Sequence, residues 1–140
     1  MGRGMSAGGN PSVGGDDTVS GQHRVLIVED ELLVAMSLSL MMEDLDHAVC
    51  AVAGSGAAAI EEATRHKPDL ALIDVGLRGG MDGIETAGVL RGMGIPSIIL
   101  SGESRPEMME RARRAAVLDY VQKPYTLDRL RGALAKVNAR

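Results

Sequence analysis

At 140 residues the chain is long enough for one domain and too short for two ordinary ones. A hydrophobic fraction of 45%, with two Tyr and no Phe or Trp, gives an aliphatic core of the kind that suits parallel strands between helices. The net charge of −4, with acids and bases interspersed, leaves no basic footprint for a nucleic acid.

Residues 1–22 are rich in Gly, Ser and Asp and carry almost no aliphatic pattern, so a flexible tail is expected there. From His23 onward short apolar runs alternate with helical spacing. Val25-Leu26-Ile27-Val28 predicts a strand that runs into the acids Glu29-Asp30-Glu31. A helix over Leu32 to Glu43 follows, with Leu33, Met36, Leu40 and Met41 among its apolar positions. Val49 to Ala53 is a second strand, and Ser55 can cap a helix that runs to about Arg65 before Pro68. Leu70 to Ile73 is a third strand, ending at Asp74.

A glycine-containing loop then leads to a helix over Ile84 to Arg91, and Ile95 to Leu100 is a fourth strand. Ser104, Pro106 and Glu107 signal a helix start, with Glu107 able to close a capping box on Ser104, and that helix extends to about Val117. Tyr120 to Gln122 is a short fifth strand, and Thr126 can cap a last helix running almost to Arg140. Five strands alternating with five helices predict an α/β fold. Its sheet is parallel, doubly wound and five-stranded, with flavodoxin-like order 2-1-3-4-5 and helices on both faces.

Binding crevices in such sheets lie at the carboxyl ends of the strands. That rule gathers Glu29 and Asp30, Asp74, Ser101 and Lys123 in one place. Three crowded carboxylates raise one another's pKa, and a divalent cation among hard oxygen ligands offsets that cost. The plain alternative is a set of solvated helix-start acids. That reading suits Glu31, but it does not explain a hydroxyl and an ammonium arriving in the same crevice.

On these residues the chain resembles the receiver domain of two-component response regulators, over residues 24 to 140. The matching pieces are Val25-Leu26-Ile27-Val28-Glu29-Asp30, Asp69-Leu70-Ala71-Leu72-Ile73-Asp74, Asp82-Gly83, Ser101, and Tyr120-Val121-Gln122-Lys123-Pro124. The resemblance implies that Asp74 is the phosphoacceptor, attacking a phosphohistidine of a histidine kinase or histidine phosphotransfer protein. It implies Mg2+ bound by Asp30 and Asp74, with Glu29 reaching it through water and the backbone carbonyl of Gly76 completing the set. Lys123 would neutralise the equatorial oxygens with the metal, and Ser101 would donate to the new phosphoryl group. It further implies a cis Lys123-Pro124 bond and a Ser101–Tyr120 switch, against which stands a Tyr merely packed at the sheet edge.

The chain departs from the family between Asp74 and Asp82-Gly83, where Val75 to Met81 is one residue longer, lacks Pro and carries the pair Gly79-Gly80. Gly102 replaces the usual Ala after Ser101. His23, His47 and His66 share no ligand spacing and read as surface residues. Met36, Met41 and Met42 read as core and flank, and Cys50 as a small buried strand residue. The single cysteine fits a reducing, cytoplasmic compartment, and no apolar run approaches the roughly 20 residues of a membrane helix.

Three rival functions fit the residues less well. A magnesium-dependent aspartyl phosphatase would want an acid two residues after its nucleophile, and Gly76 stands there. A flavin module would not place three acids in its phosphate loop, and an unphosphorylated adaptor would not need the full residue set. The chain is therefore expected to be a stand-alone receiver. Its signal would leave through a face of the fourth helix, fifth strand and last helix, where Arg105, Arg111, Arg113, Arg114 and Arg129 suit an acidic partner. A phosphate sink or shuttle would need no such face.

Overall fold

The computed structural model describes residues 22–77 and 79–139. The expected tail therefore lies outside the described residues, except for the exposed Gln22. The elements alternate as expected: β1 (Arg24–Val28), α1 (Leu32–Asp44), β2 (Ala48–Ala53), α2 (Gly56–His66), β3 (Leu70–Asp74), α3 (Gly83–Gly92), β4 (Ser97–Ser101), α4 (Pro106–Arg114), β5 (Asp119–Gln122) and α5 (Leu127–Ala139). All strand pairs are parallel, in the order β2-β1-β3-β4-β5.

Each continuous apolar run splits by the strand's period of two into two cores. Val25, Ile27, Leu70, Leu72, Ile98 and Leu100 meet α1 and α5 on one face. Leu26, Val28, Ala71, Ile73 and Ile99 meet α2, α3 and α4 on the other. Full burial of each such Leu or Ile contributes about 1.5–3 kcal/mol, so the central strands β1, β3 and β4 anchor the crevice that their ends build.

Helix α1 corrects the expected apolar face. It buries Ala35, Leu38 and Met42, while Leu32, Leu33, Met36 and Leu40 stand exposed and Met41 is half-buried. Apolar residues occupy nearly every phase of this helix, so spacing alone selects no face.

Helix starts divide into kept and lost caps. Ser55 accepts from the Ala58 N–H at 3.1 Å and Thr126 accepts from the Arg129 N–H at 3.0 Å, as their positions predicted. Ser104 does not cap α4: the N-cap is Arg105, with no side-chain cap bond, and the capping box forms instead between Asp82 and Glu85 at α3. Helix α4 also stops at Arg114, short of Val117, because Ala116 takes a positive φ of 55°.

The histidines are not all superficial. His23 is buried and stacks on a half-buried His47 with ring centroids 5.3 Å apart, and the His23 backbone N–H donates to His47 Nδ1 at 3.0 Å. The start of β1 passes over the α1–β2 turn, and this brings the two rings together. Cys50 is half-buried rather than buried, because it occupies the β2 position skipped where the register shifts between Val25/Val49 and Leu26/Ala51. Among the described residues no helix is long and apolar enough to cross a membrane.

Candidate functional site

The carboxyl ends of β1, β3, β4 and β5 deliver the sequence-predicted residues to one crevice. Glu29 and Asp30 leave β1, Asp74 and Ser101 close β3 and β4, and Lys123 follows β5. Backbone bonds hold these ends level: the Val75 N–H donates to Leu100 O and the Lys123 N–H to Ser101 O. One oxygen from each of Glu29, Asp30 and Asp74 falls within a 4.8 Å group. Lys123 Nζ stands 3.3 Å from Asp74 Oδ1, and the Gly76 N–H donates to the same oxygen at 3.3 Å.

Glu29 is the deepest of the three acids, at 3% exposure. Its Oε2 accepts from the Glu31 N–H at 3.0 Å, while Oε1 is buried with no hydrogen-bond partner. Burial pushes its pKa up to about 7, opposed by the Glu31 N–H and reinforced by the Asp74 charge. An orphaned carboxylate oxygen beside two more hard donors fits a magnesium ion, which takes oxygen ligands and keeps several waters.

Ser101 is fully buried and its Oγ accepts from the Glu103 N–H at 3.0 Å. The Tyr120 hydroxyl is not left to water: it donates to Glu103 O at 2.8 Å, so both residues meet on the β4–α4 loop. The Lys123-Pro124 peptide is cis. Glu31 is exposed and contributes only its N–H.

Two features escaped the sequence reading. Tyr125, two residues after Lys123, has its phenol pushed up by burial and by the charges of Glu29 and Asp74, so it borders the acidic crevice. Gly83 is fixed by space: a Cβ there would sit 2.5 Å from Asp74 O and 2.7 Å from Val75 Cα. The pair Asp82-Gly83 thus marks a close approach of α3 to the backbone of Asp74.

The basic face changes character. Arg105 pairs with Glu103 and Glu107, Arg113 and Arg114 with Glu110, Arg111 with Asp82, and Arg129 with Asp119. Each guanidinium expected to greet an acidic partner already has a carboxylate within the chain; the Arg105, Arg113 and Arg114 pairs are local in sequence, whereas Arg111–Asp82 and Arg129–Asp119 join separate elements.

Comparison with known proteins identifies the family and the fold. The family model for the response regulator receiver domain matches residues 25–135. Transcriptional regulatory protein PdtaR of Mycobacterium tuberculosis (strain ATCC 25618 / H37Rv) is 38% identical over 108 residues, covering 76% of this chain and 52% of that protein. The chain thus spans about half the length of that relative. Chemotaxis protein CheY of Bacillus subtilis (strain 168) is 30% identical over 116 residues, covering 81% of this chain and 96% of CheY. The signal receiver domain of a modulated diguanylate cyclase from Desulfovibrio desulfuricans G20 superposes with a TM-score of 0.76 at 33% identity, covering 84% of this chain and 98% of that one. The chain therefore belongs to the response regulator receiver domain family.

Proposed function

We propose that this receiver accepts a phosphoryl group on Asp74 from the phosphohistidine of a histidine kinase or histidine phosphotransfer protein. The observation that carries the reading is Lys123 Nζ at 3.3 Å from Asp74 Oδ1, beside carboxylates whose donor atoms lie within 4.8 Å. Glu29, Asp30, Asp74 and the Gly76 carbonyl would hold Mg2+. When bound, the ion would supply charge neutralisation for the phosphoryl oxygens.

An Asp74 carboxylate oxygen attacks phosphorus, the P–N bond breaks, and its electron pair stays on the donor imidazole. Lys123 faces the charge that develops, in a site where positioning and electrostatics do most of the catalysis. The Ser101 hydroxyl, already accepting from Glu103, keeps its own hydrogen for the phosphoryl group. That pull on the β4–α4 loop would disturb the Tyr120–Glu103 bond and bias the face of α4, β5 and α5 between two arrangements. The exposed Leu32, Leu33, Met36 and Leu40 on α1, which begins just after Asp30, favour a protein donor. The receiver unit in this reading runs from residue 23 to 140.

The test is labelling with a phosphohistidine donor or acetyl phosphate plus magnesium. Hydroxylamine-sensitive label should appear on wild type and vanish in Asp74→Asn. Label persisting at full stoichiometry in that variant would defeat the assignment.

A further inference from the structure

We propose that Arg111 is a positioning residue that latches α4 to the end of the loop that follows Asp74, through its ion pair with Asp82. Arg111 Nη2 stands 2.7 Å from Asp82 Oδ2, and the two residues lie 29 positions apart in the chain. The other Asp82 oxygen is committed to α3: Oδ1 accepts from the Glu85 N–H at 2.8 Å, and the Asp82 N–H donates to Glu85 Oε1 at 3.0 Å. Burial pushes the Asp82 carboxyl up, but the Glu85 N–H and the Arg111 guanidinium outweigh it and keep the group below the usual range.

Asp82 is also mechanically close to the acceptor. The next residue, Gly83, packs under the Asp74 carbonyl with no room for a Cβ, and its N–H donates to Val75 O at 3.3 Å. A shift of the Asp74 backbone therefore moves Asp82. At the other end of the latch, α4 is lightly anchored, because Ala112 is its single fully buried residue. Its remaining arginines pair locally, Arg113 and Arg114 with Glu110 on the same helix. Arg111 alone among the arginines of α4 reaches another element in the described ion pairs. A helix with little apolar grip takes its position from the few polar ties it has.

The experiment is amide hydrogen exchange on the full chain, comparing wild type with Arg111→Gln, Arg111→Lys, Asp82→Asn and the Asp82→Asn/Arg111→Gln double variant. Asn keeps an oxygen for the α3 cap, and Arg111 is exposed, so none of these threatens the fold. Amides of α4 should exchange roughly 2- to 5-fold faster in Arg111→Gln and in Asp82→Asn, the scale of a partly exposed ion pair. The double variant should exchange no faster than either single one, and Arg111→Lys should stay near wild type. Protection in β1 and β3 should not change, which separates positioning from a general loss of stability. Unchanged α4 exchange in Arg111→Gln, or strictly additive effects in the double variant, overturns the latch. A second arm adds beryllofluoride and magnesium. Wild type should shift at both the Asp74 loop and α4, while Arg111→Gln keeps the first shift and loses at least about half of the second. An undiminished α4 shift also overturns the latch. This arm rests on the phosphoreceiver reading: no beryllofluoride response in wild type would sink that reading, and the exchange arm would still decide the latch.

Discussion

Glu31 donates its backbone N–H to one oxygen of Glu29, and the other oxygen of Glu29 is buried with no hydrogen-bond partner. The half-satisfied carboxylate carries a pKa raised from 4.5 to about 7. A raised folded-state value means that the folded chain holds the proton more tightly than the unfolded one. Its stabilising contribution is full below the unfolded value and is lost as pH rises through the folded value. Thermal stability without metal should therefore fall between about pH 4.5 and about pH 7, and Glu29→Gln should flatten that slope. If Glu29 helps to hold magnesium, as proposed, the ion would take over the proton's role, and the rise in melting temperature on adding it should grow across the same interval. Calorimetry with and without magnesium reads both effects, and a magnesium effect that shrinks toward higher pH contradicts the assignment.

Asp30 shares the acidic group with Glu29 and Asp74. Asp30→Ala should weaken magnesium binding at least about tenfold, by titration calorimetry, since direct ligands matter no less than their supporting groups. The same variant should melt at or above the wild-type temperature in metal-free buffer, because a like charge leaves the crevice. Retained magnesium affinity would exclude Asp30 from the ligand set.

Two glycines of α3 should respond in opposite directions to the same methyl group. Gly83→Ala places Cβ 2.5 Å from Asp74 O and should cost about 1–3 kcal/mol, with slower phosphorylation as Asp74 is displaced. Gly88→Ala meets nothing within 4 Å and should gain about 0.5–1 kcal/mol from helix propensity. Urea denaturation of both variants checks the sign in one experiment.

Asp119 ties β5 to α5 through Arg129 at 2.7 Å and Lys136 at 3.0 Å. Burial raises its pKa, but Arg129, Lys136 and the Tyr120 N–H outweigh that and leave it lowered. Asp119→Ala should cost about 1–3 kcal/mol at neutral pH. A lowered folded-state value gives stability that is present above the ordinary carboxylate range and is lost as pH falls through the folded value. The gap between wild type and variant should accordingly close in acid, which chemical denaturation across a pH series would read.

By itself the sequence determined the sheet and its chemistry. Five apolar runs, each punctuated by glycine, proline or acids, define strands whose ends must converge in a doubly wound fold, and those ends carry Glu29, Asp30, Asp74, Ser101 and Lys123. Strand period and crevice position follow from local geometry, so they were legible without contacts. Tertiary structure decided what depends on residues distant in the chain. The exposed face of α1 was set by the sheet, since apolar side chains occupy nearly all its phases and only the fit of Ala35, Leu38 and Met42 against the strands selects among them. The stacking of His23 on His47, the register shift at Cys50 and the pairing of Arg111 with Asp82 and Arg129 with Asp119 arose the same way. Each joins residues 10 or more positions apart, whose encounter depends on the packing of whole elements rather than on any local preference.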